Sequence, residues 1–339
     1  MRAINFIWIL ILAVAFSSCE KDNFGPQQEE TNTELSGTKA IILNEGNFNF
    51  GNASLSLVDE NGEVQNQVFQ NANGAPLGDV LQSGVKHNDR FYFVLNNSGK
   101  VVVTDTSFQQ VGEITGLQSP RYFLPVGESR AFVSDIYSDE ISVIDLNQLT
   151  VISTIDVGAW VEQMTLLDGL VYAVNKDDNN LELIDPEALE VVSSIDVPAG
   201  PSDIEVDAFG TIWVMCTGGL GANEFKLYKI DPATEETEIL EVSSTSGFLE
   251  LNPEKDELIY ASEEEVFRRP VNGSGEESVF NFDTEILVYG FEVDPATGNI
   301  WITDAADYVE QGEVFVFDEA GNEKFSVGVG YLPNGVVFW

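Results

Sequence analysis

Short apolar runs that each end at a polar residue recur from Lys39 onward: IILN to Asn44, FVLN to Asn96, FVSD to Asp135, YAVN to Asn175, WVMC to Cys216, IYAS to Ser262 and WITD to Asp304. The intervals between these ends are 52, 39, 40, 41, 46 and 42 residues, about 43 on average, the length of one four-stranded propeller blade. The runs are strand-length and separated by Gly, Asn and Asp turns, and no stretch carries a helical period. A second marker follows in phase, because the next strand usually closes on Asp: Asp59, Asp105, Asp145, Asp185, Asp231 and Asp318, with Pro270 in that place in the sixth unit. Such an Asp accepts backbone N–H groups and starts a tight turn, so its expected role is structural. The C-terminal LPNGVVFW is a strand without a following partner, while the first unit lacks an inner strand before KAIILN. The pattern therefore predicts an all-β chain: a seven-bladed β-propeller of four-stranded blades over residues 39–339, its ring closed by the C-terminal strand pairing with the N-terminal blade.

In that architecture the inner strand A leaves the top face and strand B returns to it. Counting back about 14 residues from each marker, one strand and its turn, places strand A starts at Gln82, Arg121, Glu162, Ser202, Phe248 and Gly290, with Asn334 for the closing strand. Strand B ends at Asn44, Asn96, Asp135, Asn175, Cys216, Ser262 and Asp304 form a second, mostly polar ring. Two rings of hydrogen-bonding groups over an apolar body predict a binding pocket. From the strand B end to the strand C end there are 9, 10, 10 and 8 residues in units two, three, four and six, but 15, 15 and 14 in units one, five and seven. Three top loops are thus long, and long loops on a rigid scaffold are where binding resides. Phe48, Phe50, Tyr122, Tyr137, Trp160, Tyr289, Tyr308 and Tyr331 fall on or near this face, where their rings would stack on a flat ligand. The candidate ligand-binding set is Asn44, Phe48, Gln82, Asn96, Arg121, Tyr122, Asp135, Tyr137, Trp160, Glu162, Asn175, Tyr289, Asp304, Tyr308 and Asn334.

Charge narrows the partners. Against 57 Asp and Glu stand 15 Lys and Arg and one His, a net charge of −42. Few, scattered cations exclude a nucleic-acid binder and charge-driven docking on an anionic membrane. With 43% hydrophobic and 11% aromatic residues the chain still buries a core, so the excess charge is a surface property. Part of it, Glu235, Glu236, Glu238 and Glu241, lies on the outer strand of the fifth blade, where charge discourages pairing with other chains.

The N-terminus is of another kind. Arg2 precedes an apolar run from Ile4 to Phe16, then Ser17, Ser18 and Cys19. Thirteen apolar residues rise about 20 Å as a helix, short of the roughly 30 Å hydrocarbon core, which predicts a signal peptide over residues 1–18. The small-small-Cys ending resembles a bacterial lipobox, which implies cleavage before Cys19 and a lipid anchor on it. Residues 19–38 read as a solvated tether, and Glu20-Lys21-Asp22 resembles the export signal of Bacteroidetes surface lipoproteins. Only Cys216 remains, so no intramolecular disulfide follows once Cys19 is acylated.

The segments Leu77 to Asp105, Ser119 to Asp135 and Ile141 to Met164, with the opening ILNEGNF and NASL, are similar to the YncE-like seven-bladed propeller lipoproteins of Bacteroidetes, the DUF5074-like group. Some members of that group capture cobalamin at the cell surface and pass it to a TonB-dependent outer-membrane transporter. The resemblance implies an outer-membrane, surface-exposed lipoprotein that touches the membrane through its lipid anchor alone and takes a small-molecule ligand, with cobalamin the named candidate. The matched residues belong to the scaffold and do not transfer ligand identity.

The chemistry reads as binding, with no cofactor, in a monomeric propeller. His87, the one His, falls near the bottom of a strand A, away from both rings, and one His with one unacylated Cys cannot build a zinc site. The enzyme alternative is a lactonase-like hydrolase using Ca²⁺ on Asn96, Asp135, Asn175 and Asp304, with Glu162 and Asp203 as further oxygen donors. The third class is a protein-interaction scaffold on the cell surface.

Overall fold

A computed structural model describes Gly37 and residues 39–219, 224–234, 236–283 and 285–339. The expected signal peptide, Cys19, and all of the tether except Gly37 lie outside these residues, as does Glu235.

Seven antiparallel sheets of four strands follow one another along the chain, which is the predicted seven-bladed propeller. Each apolar run is strand B of its blade, and alternate side chains point to opposite faces of the strand. In Lys39–Asn44, Ile41 and Leu43 pack against Phe91 and Phe93 of blade 2, whereas Ala40 and Ile42 pack against Trp301 and Val314 of blade 7. Neighbouring blades sandwich every strand B this way, so both faces are buried and the run is continuously apolar rather than alternating. Seven apolar clusters result, one at each seam between consecutive blades, including the seam of blade 7 with blade 1.

The C-terminal strand, Pro333–Phe338, is the inner strand of blade 1, pairing Ala40 with Phe338 through Leu43 with Gly335. Trp339 continues the pairing by exchanging both backbone bonds with Lys39, and its ring meets Phe91 edge-on at 5.4 Å. The strand C Asp residues start turns as expected; Asp105, for example, accepts the N–H groups of Ser107 and Gln109. Those backbone bonds hold the carboxyls of Asp145 and Asp185 below the usual range.

Blade 1 carries one feature that the pattern does not reveal. Blade 1 has an outer strand of two residues, Val64–Gln65, and the chain then forms a six-residue helix, Val68–Asn73. Val68 and Phe69 drop into the seam with blade 2, and Gly74 ends the helix in the left-handed region at φ 66°. This insertion accounts for the long first interval. Six residues are too few for a helical period to register in the sequence.

Candidate functional site

The inner strands place side chains at the mouth of the central channel by a shared backbone device. In six of the seven blades the pairing of strand A with strand B slips at its top end. The residues left unpaired are Gln82, Arg121 and Tyr122, Glu162 and Gln163, Ser202, Tyr289, and Asn334. A bulge of this kind re-aims the extra side chain, here away from the ladder and toward the axis. Blade 6 departs from the pattern, with an inner strand of only Glu250–Leu251. In blade 7 the residue presented is Tyr289 rather than Gly290. Gly290 is where the inner strands of blades 7 and 1 approach closely, since a Cβ there would stand 2.7 Å from the backbone of Asn334.

These residues form one network. Arg121 donates from Nε to Glu162 at 2.8 Å, from Nη2 to the same carboxylate at 3.1 Å, and from Nη1 to Gln82. Lys176 approaches Glu162 at 3.9 Å and lies over the Trp160 ring at 4.9 Å. Burial works against the charge on Arg121, but Glu162 outweighs it and holds the guanidinium more basic than usual. Opposite, Tyr289 donates to Glu45 at 2.7 Å and meets the ring of Tyr308 edge-on at 5.8 Å. Burial raises the Glu45 carboxyl against the Tyr289 bond, and burial likewise raises the phenols of Tyr122 and Tyr289. Asn334 donates to the carbonyls of Leu81 and Gln82, tying blade 1 to blade 2. Its Oδ1, and Nε1 of Trp160, are buried without a partner among the described residues. Buried polar atoms of this kind are commonly completed by an ordered water.

Below the mouth the wall of blades 5, 6 and 7 is acidic. Asp203 and Glu205, two residues apart on one strand, share a face, and Glu250 and Glu292 join them from the next two inner strands. Burial first, then Glu205, pushes Asp203 up to about 8. Burial raises Glu250 and Glu292; the charge of Glu292 adds to the rise at Glu250 and that of Asp203 to the rise at Glu292, while a hydrogen bond from Glu250 opposes the rise at Glu292. Burial likewise raises Glu205, with Lys255 opposing. Both oxygens of Asp203 are also structural, accepting from Ile204 and from Leu249 of blade 6 at 2.8 and 2.9 Å.

The second expected ring, at the strand B ends, is drawn into the scaffold's own hydrogen bonds. Asn44 and Asn175 are wholly buried and Asp135 nearly so, and their polar atoms hold the connectors that enter each blade. Asn44 accepts from Gly330 and donates to Ser54 and Ser56. Asn96 donates to Pro120. Asp135 accepts from Gln118, Ser119 and Tyr137. Asn175 donates to Val157 and accepts from Asp178, and Asp304 accepts from Leu287 and Ala306. The four oxygens suggested for Ca²⁺, on Asn96, Asp135, Asn175 and Asp304, belong to this ring and sit one per blade. Among the described residues no three His, Cys, Asp or Glu side chains converge as metal ligands.

Of the aromatic candidates, Trp160, Tyr289 and Tyr308 reach the network, Phe48 stands exposed on the long loop of blade 1, and Tyr137 points outward, 76% exposed. Sequence reasoning missed Glu45 and Lys176, although each directly follows a strand B end and so had to emerge on the top face.

The chain matches the model of a domain of unknown function, DUF5074, across residues 38–339. No curated protein matches it. Among solved structures it is similar to a quinoprotein alcohol dehydrogenase-like protein from Bacteroides thetaiotaomicron, with TM-score 0.68 and 12% identity over 88% of this chain and 77% of that one. A candidate 6-phosphogluconolactonase from Bacteroides fragilis superposes with TM-score 0.65 and 13% identity over 89% and 98%. AztD from Citrobacter koseri superposes with TM-score 0.58 and 12% identity over 89% and 97%. At these identities the likeness is one of fold.

Proposed function

The chain belongs to the DUF5074 family, and we propose that it is a ligand-capturing propeller which binds a small molecule at the top mouth of its channel. The observation that carries this is the bulge ring, which turns polar side chains of six blades toward one opening, with Asn334 Oδ1 on that ring and Nε1 of the nearby Trp160 buried without a partner among the described residues. Amide, phenol and indole groups around a mixed-charge centre suit a broad, largely neutral ligand rich in amides. Cobalamin, named by the sequence resemblance, has that chemistry. Anchored through Cys19 on the outer face of the outer membrane, such a propeller would pass its ligand to a TonB-dependent transporter.

Isothermal titration of the purified full-length protein with cyanocobalamin tests the ligand. Binding at micromolar or lower concentration that is lost in Arg121→Ala supports it. The absence of heat and of competition rejects cobalamin. Replacing Cys19 by Ala is expected to release the protein from the membrane fraction, and unchanged fractionation rejects the anchor.

A further inference from the structure

We infer that the tip of the long loop of blade 1, with the neighbouring loop of blade 7, docks a protein partner whose contact face is an apolar pocket ringed by lysine and arginine. The inference adds a partner surface to the capture reading and does not depend on which ligand the mouth holds.

Phe48 and Phe50 are 63% and 78% exposed, and beside them Tyr308 and Val309 are 49% and 71% exposed. The two loops touch, since Asn47 donates its side-chain amide to the carbonyl of Tyr308 at 2.9 Å. Burying a phenylalanine ring is strongly favourable, so two adjacent rings left in water forgo a sizeable gain. A loose loop would explain that, but this loop is braced. Asn47 and Asn52 exchange two hydrogen bonds, at 2.8 and 3.0 Å. Asn49 donates its N–H to Asp79 at 3.0 Å, and Asn97 bridges to both Asn49 and Asp79, at 3.1 and 2.6 Å. At its base Glu45 and Gly46 donate to Leu332 and Tyr331. Gly46 is at φ 79°, and a Cβ there would meet the backbone nitrogen of Ala53 at 2.6 Å, so glycine is required for this turn. A frame held from blades 7 and 2 thus presents two phenyl rings to solvent with little left to order on binding, the economy of a preorganised interface anchored by aromatics.

Charge selects the occupant. Residues 46–54 carry no charge, while the surrounding Glu45, Asp79, Asp307 and Glu310 are all acidic. A second copy would bring the same acidic rim and its own −42, and an anionic lipid surface would be repelled in the same way. A basic rim around an apolar pocket complements both the rings and their surroundings.

The test places a photoreactive benzophenone side chain at position 48 or 50 of the full chain in the cells that make it, with position 209 as control. Phe209 is 65% exposed but lies on the bottom hairpin of blade 5. Adducts from 48 and 50 to one protein, and none from 209, are expected. That protein, purified, is expected to bind the parent chain and to lose about tenfold in affinity for the double variant Phe48→Ser, Phe50→Ser. Raising the salt is expected to weaken the parent complex. The double variant is expected to keep the parent melting temperature, and the parent chain is expected to bind that protein with or without cyanocobalamin, which separates this inference from the capture reading. No adduct, adducts to lipid or to a second copy, or an affinity unmoved by the double variant or by salt overturns it.

Discussion

Two rings of polar residues circle the top of this propeller, and they differ in what their side chains are left to do. Most strand B ends point into the connector that enters their own blade, where Asp135 alone takes three backbone N–H groups. The strand A starts sit where the ladder slips, and the slip turns Arg121, Glu162 and Gln82 toward one another across blade boundaries. Both rings are mostly polar. Register decides which ring holds the scaffold and which is offered to a ligand.

The largest effect that would break this comparison is in the clasp ring. Asp135→Ala strands three donors, so about 3 kcal/mol of stability or more is expected to be lost in urea denaturation, with ligand affinity unchanged while the protein stays folded. A variant of ordinary stability that had lost its ligand would move Asp135 into the binding ring.

The acidic wall gives the next effect, and its sign is set by protons held in the native state. An unfolded Asp titrates near 4 and native Asp203 near 8, so between these values the folded chain holds more protons and stability falls as pH rises. The loss across that window is expected to be on the order of a few kcal/mol by melting at fixed ionic strength. Glu292→Gln keeps an acceptor for Val336 and gives Glu250 an amide donor, so it is expected to flatten the slope and raise the melting temperature at pH 8. A pH profile unchanged by this substitution would refute the coupling of Glu292 to Glu250.

Arg121→Met is expected to cost about 1–3 kcal/mol, because Glu162 loses its closest partner and keeps only Lys176 at 3.9 Å, while ligand affinity falls at least about tenfold. Equal loss of stability without loss of affinity would make the pair a structural tie like the clasps. The smallest effect is expected at Tyr137→Ala, within about 0.5 kcal/mol and without change in ligand affinity, because the ring faces solvent away from the mouth.

Much of the scaffold was legible because propeller strands carry a redundant signal. Strand B is apolar on both faces, the strand C Asp starts a turn, and the period repeats seven times, so an error in one unit is corrected by the others. The helix Val68–Asn73 broke no period long enough to be seen. In the candidate site, Gln82, Arg121, Glu162 and Asn334 were placed by counting, whereas Glu205, Glu250 and Glu292 were missed. Alternation along strand A, extended from Asp203 to Glu205, would have found the first of these.

By itself the sequence determined the number of blades, the closing strand, the excess of acid and several of the strand A starts, since burial and turn chemistry act on each local segment. Only the tertiary structure decided which of those residues are free. Whether an Asn or Asp binds a connector or faces the channel depends on a one-residue slip between paired strands, and whether a carboxyl keeps its proton depends on what neighbouring blades bring against it. Both are relations between segments far apart in the chain.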